Sequence, residues 1–192
     1  MLHGVNLYLD QVHHDADTVA VVISHPAQPS RLVRELEQTL QGTWGLAETA
    51  EVLLELARRA SHRFTVMTPF VDEDGAGRII ELLELTAPAV RREVIVRGGL
   101  PPALQQRSAD LRRLEAAVYD FRISRDEGAG TETFHAKVVR VDSDECYVGS
   151  SNMTAWSFNY SLELGFHVRG AAGKRISQVV DAVLQVSHPV PA

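Results

Sequence analysis

The chain of 192 residues has a single cysteine, Cys146, so no internal disulfide can hold it together. Set among apolar neighbours, that thiol reads as buried and inert, and its solitude suits a reducing compartment. Basic residues are in deficit: 19 Lys and Arg stand against 25 Asp and Glu, a formal charge of −6. That balance argues against a protein that coats nucleic acid through a broad basic surface, whose affinity comes from cations meeting phosphates, while a locally positive cleft is still allowed. Long apolar runs are missing too. The longest strongly apolar run, residues 19–23, is far shorter than the roughly 20 residues a membrane-spanning helix needs. The N-terminus, MLHGVNLYLDQ, lacks the basic patch, apolar core and small-residue cleavage site of a secretory signal. A soluble, cytoplasmic protein is the expectation, and its length suits one compact domain that buries a core without metal or disulfide.

What is present alternates between strand-like and helix-like segments. Residues 18–24, TVAVVIS, are β-branched and apolar and predict a buried strand, followed after a turn-rich stretch by a short helix over 30–40. Residues 46–60 place Leu46, Ala50, Leu53, Leu54 and Ala57 on one face of a helix. A strand over 64–71, a loop opened by Gly75 and Gly77 into a helix over 78–86, and a strand over 94–96 make a βαβ unit, which implies parallel pairing. Pro102 starts a helix running to about residue 117, residues 118–123 form a further strand, and 124–132 read as a polar connecting loop. Strands over 134–141, 146–148 and 162–168 and an amphipathic helix over 176–186 follow. The expected fold class is α/β, a mixed, mostly parallel sheet flanked by helices. Arginine pairs at 58–59, 91–92 and 112–113 read as solvated helical faces, and adjacent His13 and His14 lack the face-sharing spacing of metal ligands.

One stretch, residues 134–163, is built differently: FHAKVVRVDSDECYVGSSNMTAWSFNYSLE. Strand alternation puts His135 and Lys137 on one face and Phe134, Ala136 and Val138 on the other. Asp142-Ser-Asp is a turn, and a second strand returns to Gly149, Ser150, Ser151 and Asn152 beside them. An imidazole, an ammonium, a hydroxyl and an amide gathered in one place form a pocket rich in hydrogen-bond donors and positive charge, suited to a tetrahedral anion. Each residue alone is ordinary. The joint spacing, His-x-Lys, four residues, Asp, six residues, Gly-Ser-x-Asn, arises by chance on the order of one time in a million. Trp156, Phe158 and Tyr160 alternate, which fits one face of a strand or core packing as readily as an aromatic rim for bases or lipid.

With that spacing the chain resembles the phospholipase D superfamily, whose HxKxxxxD motif and trailing GSxN are matched by His135, Lys137, Asp142, Gly149, Ser150 and Asn152. The resemblance continues through residues 159–165, NYSLELG, where the family carries an acidic residue, here Glu163, and reaches back more loosely to about residue 46. Residues 46–192 would then be the catalytic domain, and residues 1–45, which match less well, an N-terminal extension packed on it. The resemblance implies a metal-independent phosphodiesterase that needs no cofactor. His135 would be the nucleophile that forms a phosphohistidine, and Lys137, Ser150 and Asn152 would hold the non-bridging oxygens. Glu163 would bind the far nitrogen of His135 and fix its tautomer. Asp142 belongs to the motif's catalytic set, but its turn position reads as a structural brace rather than a proton carrier.

The family builds its active site from two copies of the motif, and none of the other seven histidines here is followed by lysine two residues later. A two-fold homodimer that brings His135 against its symmetry mate is therefore expected. The small single-motif chain is similar to bacterial nucleases of the superfamily, which implies DNA or RNA as substrate. It is also similar to the phospholipase-D-like component of DISARM-type anti-phage defence systems, which implies antiviral defence and a regulatory or helicase partner. Two other readings stay open. A phospholipid-cleaving enzyme would want an exposed apolar surface beside the site, yet no membrane-binding helix is evident and no stable membrane association is expected. A non-catalytic subunit could grip nucleic acid through the phosphate pocket, but anion binding alone has no use for an oriented imidazole.

Overall fold

The computed structural model describes residues 17–40, 46–124 and 130–191. In chain order its strands are β1 (Thr18–Ser24), β2 (Ala47–Glu48), β3 (Arg63–Met67), β4 (Arg91–Val96), β5 (Ala117–Asp120), β6 (Ile123–Ser124), β7 (Thr131–Glu132), β8 (Lys137–Val141), β9 (Glu145–Gly149), β10 (Glu163–Arg169) and β11 (His188–Val190). The helices are α1 (Arg31–Thr39), α2 (Thr49–Arg59), α3 (Glu73–Leu85), α4 (Pro102–Gln105), α5 (Ser108–Arg113), α6 (Ala155–Asn159) and α7 (Ala171–Val186). Apart from the small β6–β7 ribbon, the strands form one mixed sheet in the order β11-β5-β4-β3-β8-β9-β10-β1-β2. Helical crossovers deliver β3, β4 and β5 in parallel, whereas the short turn between β8 and β9 permits only an antiparallel pair. β8 joins the parallel set antiparallel to β3, and β10 and β1 continue the alternation. One edge of the sheet therefore collects the C-terminal ends of β3, β4, β9 and β1 and the N-terminal ends of β8 and β10.

Alternation along the strands sorts the side chains into two cores. Phe64, Val66, Val94, Val139 and Tyr147 point to one face, where α2 and α3 cover them with Val52, Leu53, Leu56, Ile79 and Leu83. On the other face Met67, Ile95, Val138 and Cys146 meet Ile176, Val180, Val183 and Leu184 of α7. Arg140 lies fully buried in this second layer. It donates to Thr65 Oγ1 at 2.7 Å, Glu93 at 3.0 Å and Asp181 of α7 at 2.6 Å, and Arg63 also reaches Asp181 at 2.8 Å. Arg140 and Glu93 are both fully buried, so breaking their pair is costly, and the bonds from Arg140 and Arg63 to Asp181 tie α7 to the sheet.

Several elements differ from the sequence expectation. Strand β1 is buried only over its last three residues, and Arg91 and Arg92, expected on a solvated helical face, lie on β4, where Arg92 is buried and donates to backbone carbonyls. Helix α3 starts at Glu73 rather than residue 78, because the Asp72 carboxylate accepts from the Gly75 amide at 2.8 Å and caps it. Gly75 is small for a packing reason: a Cβ there would fall 1.6 Å from the Met153 carbonyl oxygen. The single helix expected over 102–117 is two short ones, since the Ser108 hydroxyl donates to the Gln105 carbonyl at 2.6 Å and closes the first. Regular pairing of β8 begins at Lys137, leaving residues 134–136 outside the ladder. β1 pairs along its whole length with β10, so the first 45 residues contribute a strand to the sheet itself. His13, His14 and residues 125–129 of the connecting loop lie outside the described residues.

Candidate active site

Strand register assembles the site. Lys137 stands opposite Gly149, which stands opposite Gly165. The Lys137 side chain runs back from the strand end to His135: Nζ lies 2.8 Å from His135 Nδ1 and 3.4 Å from Nε2, and donates to the His135 carbonyl at 2.7 Å. His135 itself is exposed, whereas Lys137 is only 5% exposed. Burial pushes the Lys137 pKa below its ordinary value; the negative charge of Glu163 works against that shift and the positive charge of Arg97 works with it.

Ser150 and Asn152 sit on the loop that leaves β9. The Ser150 amide donates to the Leu164 carbonyl at 3.0 Å, its Oγ accepts from the Leu164 amide at 3.1 Å, and its hydroxyl donates to Glu163. These bonds pin Ser150 to the start of β10 and engage the Glu163 carboxylate. The expected bond from Glu163 to the far nitrogen of His135 is accordingly not formed in this structure. Asn152 Oδ1 is buried with no hydrogen-bond partner among the described residues, a polar group that the fold does not use. Gly149 is explained by Tyr147, whose ring is 2% exposed and lies across two glycines. A Cβ on Gly149 would come 2.3 Å from the Tyr147 hydroxyl oxygen, and one on Gly165 would come 2.5 Å from Tyr147 Cε2.

Asp142 is elsewhere. It lies at the opposite end of β8 from Lys137, about 16 Å away at the strand rise of roughly 3.3 Å per residue. There, with φ of 50°, its carboxylate accepts from the amides of His62 at 2.7 Å, Arg63 at 2.9 Å and Ser61 at 3.2 Å. Its place in the catalytic set is corrected on this geometry: it is a brace between β8 and the loop entering β3. The aromatic trio is likewise not on a strand. The Thr154 hydroxyl accepts from the Ser157 amide and caps α6. Helical spacing then puts Trp156 and Tyr160 side by side, 5.4 Å between ring centroids and both exposed, while Phe158 turns inward beneath the Arg78 guanidinium.

Two residues at the site escape the motif reading. Phe70 presents its ring edge-on to His135, centroids 5.9 Å apart, and Arg97 lies over the same ring at 4.8 Å. Both occur just beyond the C-terminal ends of parallel strands, the place where open α/β sheets hold ligands, and that position was the only sequence clue to them. Of the other described histidines, none shares this corner. His25, bonded to Glu48, follows β1, three strands from β8; His62 lies beside Asp142; His167 is bonded to Glu145; and His188 starts the edge strand β11, four strands from β8.

Residues 53–185 match the family model described as cardiolipin synthase, PLD-like domain. The chain belongs to the phospholipase-D-like family. Its fold is similar to that of the phospholipase D family member Nuc from Salmonella typhimurium, with a TM-score of 0.60 and 13% identity over 92% of this chain and 100% of that one. NucT from Helicobacter pylori is similar at TM-score 0.60 and 12% identity, covering 91% and 99%. Phosphatidylserine synthase from Haemophilus influenzae is similar at TM-score 0.58 and 16% identity, covering 92% of this chain and 41% of that one. Among curated proteins, none matches the sequence significantly. Among the described residues, no group of three or more His, Cys, Asp or Glu side chains is placed to hold a metal ion, and no helix is long and apolar enough to cross a membrane.

Proposed function

We propose that this phospholipase-D-like chain is a metal-independent nuclease that hydrolyses DNA or RNA through a phosphohistidine, at an active site completed by a second copy of itself. The observation that carries the reading is the exposed His135 imidazole held against the buried Lys137 ammonium, with the Ser150 hydroxyl and the Asn152 side-chain amide on the neighbouring loop. In the first step a ring nitrogen of His135 attacks phosphorus, the P–O bond to the leaving strand breaks, and the departing oxygen takes a proton from His135 of the second copy. Water then attacks the phosphohistidine and gives its proton to that same second imidazole, and the P–N bond breaks. Lys137 and the polar groups of Ser150 and Asn152 stabilise charge on the non-bridging oxygens, which grows in the transition state. The two identical imidazoles must hold opposite protonation states, so their pKa values belong to the pair.

The second copy is supported by the sheet order, which leaves His135 without another imidazole beside it among the described residues. We take residues 46–192, joined by β1 from the first 45 residues, as the catalytic unit. An unrestrained nuclease in the cytoplasm would damage its host, so control by a regulatory or helicase partner, as in DISARM-type antiviral defence, is part of this reading. A second reading, cleavage of phospholipid, has one observation in its favour: Leu162, Leu164 and Phe166 are exposed around Glu163, with Trp156 nearby in the chain. Purified protein assayed in EDTA against DNA, RNA and phosphatidylcholine separates the two. The nuclease reading expects a nucleic acid to be cut and His135→Ala to abolish cutting; dependence on added metal, or activity in that variant, overturns the mechanism. Sedimentation at micromolar concentration should show a dimer, and a fully active monomer would overturn the shared site.

A further inference from the structure

We infer that Phe70 and Arg97 form a base-stacking subsite of the same active site, which takes an unpaired nucleobase next to the scissile phosphate. The inference rests on the nucleic-acid reading above and adds what that reading leaves open, the strand form of the substrate. Phe70 is held rigidly. The Thr68 hydroxyl donates to its carbonyl at 3.1 Å, and the next residue, Val71, bridges to Met153. The ring is fixed on two sides, by His135 against its edge and by the Arg97 guanidinium 4.8 Å above its centroid, yet 43% of the residue stays exposed. Arg97 is anchored in turn by donating to the Phe134 carbonyl at 3.4 Å, the peptide that carries His135.

A large aromatic ring left open beside the proposed nucleophile, with its orientation set by its neighbours, is a π-surface already ordered before substrate arrives. Ordering it in advance removes the entropy cost of fixing the ring on binding. A nucleobase can stack on it, and the adjoining guanidinium strengthens such stacking and can donate to a phosphodiester. An acyl chain would gain nothing from a cation held over the ring. A paired base would have to leave its own stack first, which favours single strands. Base–aromatic stacking of this kind changes affinity about 5- to 100-fold when the ring is removed.

The test uses full-length protein silenced as His135→Asn, with fluorescence anisotropy reading the binding of a short single strand and of the same strand made abasic. Phe70→Leu should weaken binding of the base-bearing strand about tenfold, leave the abasic strand unchanged, and be rescued by Phe70→Trp. Equal loss on both strands, or no loss on either, overturns the subsite while leaving the nuclease reading intact. If the silenced parent binds neither strand, the nucleic-acid reading fails and the subsite with it. Sedimentation of Phe70→Leu supplies the remaining outcome: conversion of a dimer to monomer would assign the ring to the contact between copies and overturn the proposal.

Discussion

Substituting Gly149 by alanine perturbs the site at its most crowded point. The added Cβ would lie 2.3 Å from the Tyr147 hydroxyl oxygen, 2.7 Å from its Cζ and 2.8 Å from the Gly165 Cα. The last of these is backbone in a neighbouring strand and cannot yield, so the Tyr147 ring must move. That ring is 2% exposed and its hydroxyl donates to Ser151 Oγ at 3.2 Å, so it has no empty space to enter and one hydrogen bond to lose. Overpacking of this kind costs about 1–3 kcal/mol, and the lost bond about 1 more. The sum, about 2–4 kcal/mol, corresponds to a fall in melting temperature of about 5–15 °C for a chain of this length. Thermal unfolding followed by circular dichroism reads the fall, and Tyr147→Val in the same chain should recover part of it by vacating the space. A Gly149→Ala protein that melts with its parent would refute the claim that this glycine exists to admit the tyrosine ring.

Four further expectations follow from the same geometry. Lys137→Met should abolish hydrolysis without lowering the melting temperature, because the ammonium is nearly buried and burial depresses its pKa. Since the unfolded chain binds that proton more tightly, stability should rise with pH as Lys137 deprotonates in the folded state below its ordinary range, and this rise should vanish in Lys137→Met. Glu163→Gln removes a charge that favours the ammonium and Arg97→Gln removes one that opposes it, so the alkaline limb of the pH–activity profile should move down in the first and up in the second. Burial pushes the Cys146 thiol up to about 12, so a disulfide reagent at pH 8 should leave the native protein unlabelled and react fully only in denaturant.

Much of the candidate site's geometry was legible because its residues are close in sequence and fixed in identity. His135 and Lys137 share a strand end, and the hairpin that follows has only one way to return Ser150 and Asn152 to them. Phe70 and Arg97 were hidden because they arrive from two other strands, and an exposed phenylalanine or a lone arginine carries no spacing to read. Asp142 shares the motif without sharing the corner: its turn position read as a brace, and the length of β8 carries it to the strand's other end, where it accepts three backbone amides. Residues 156–160 show a competing period: their aromatics alternate as a strand would, and the Thr154 cap makes the segment a helix. Gly75 looked like a loop breaker and is a helical contact point, which only the approach of Met153 reveals.

The central claim, a covalent intermediate on His135, is tested most directly by stereochemistry at phosphorus. A chiral phosphorothioate strand cleaved in EDTA and in isotopically labelled water reports how many in-line displacements occurred. Two displacements, attack by His135 and then by water, predict net retention of configuration. Net inversion would mean that water attacks the phosphodiester directly, and the nucleophilic role of His135 would be wrong.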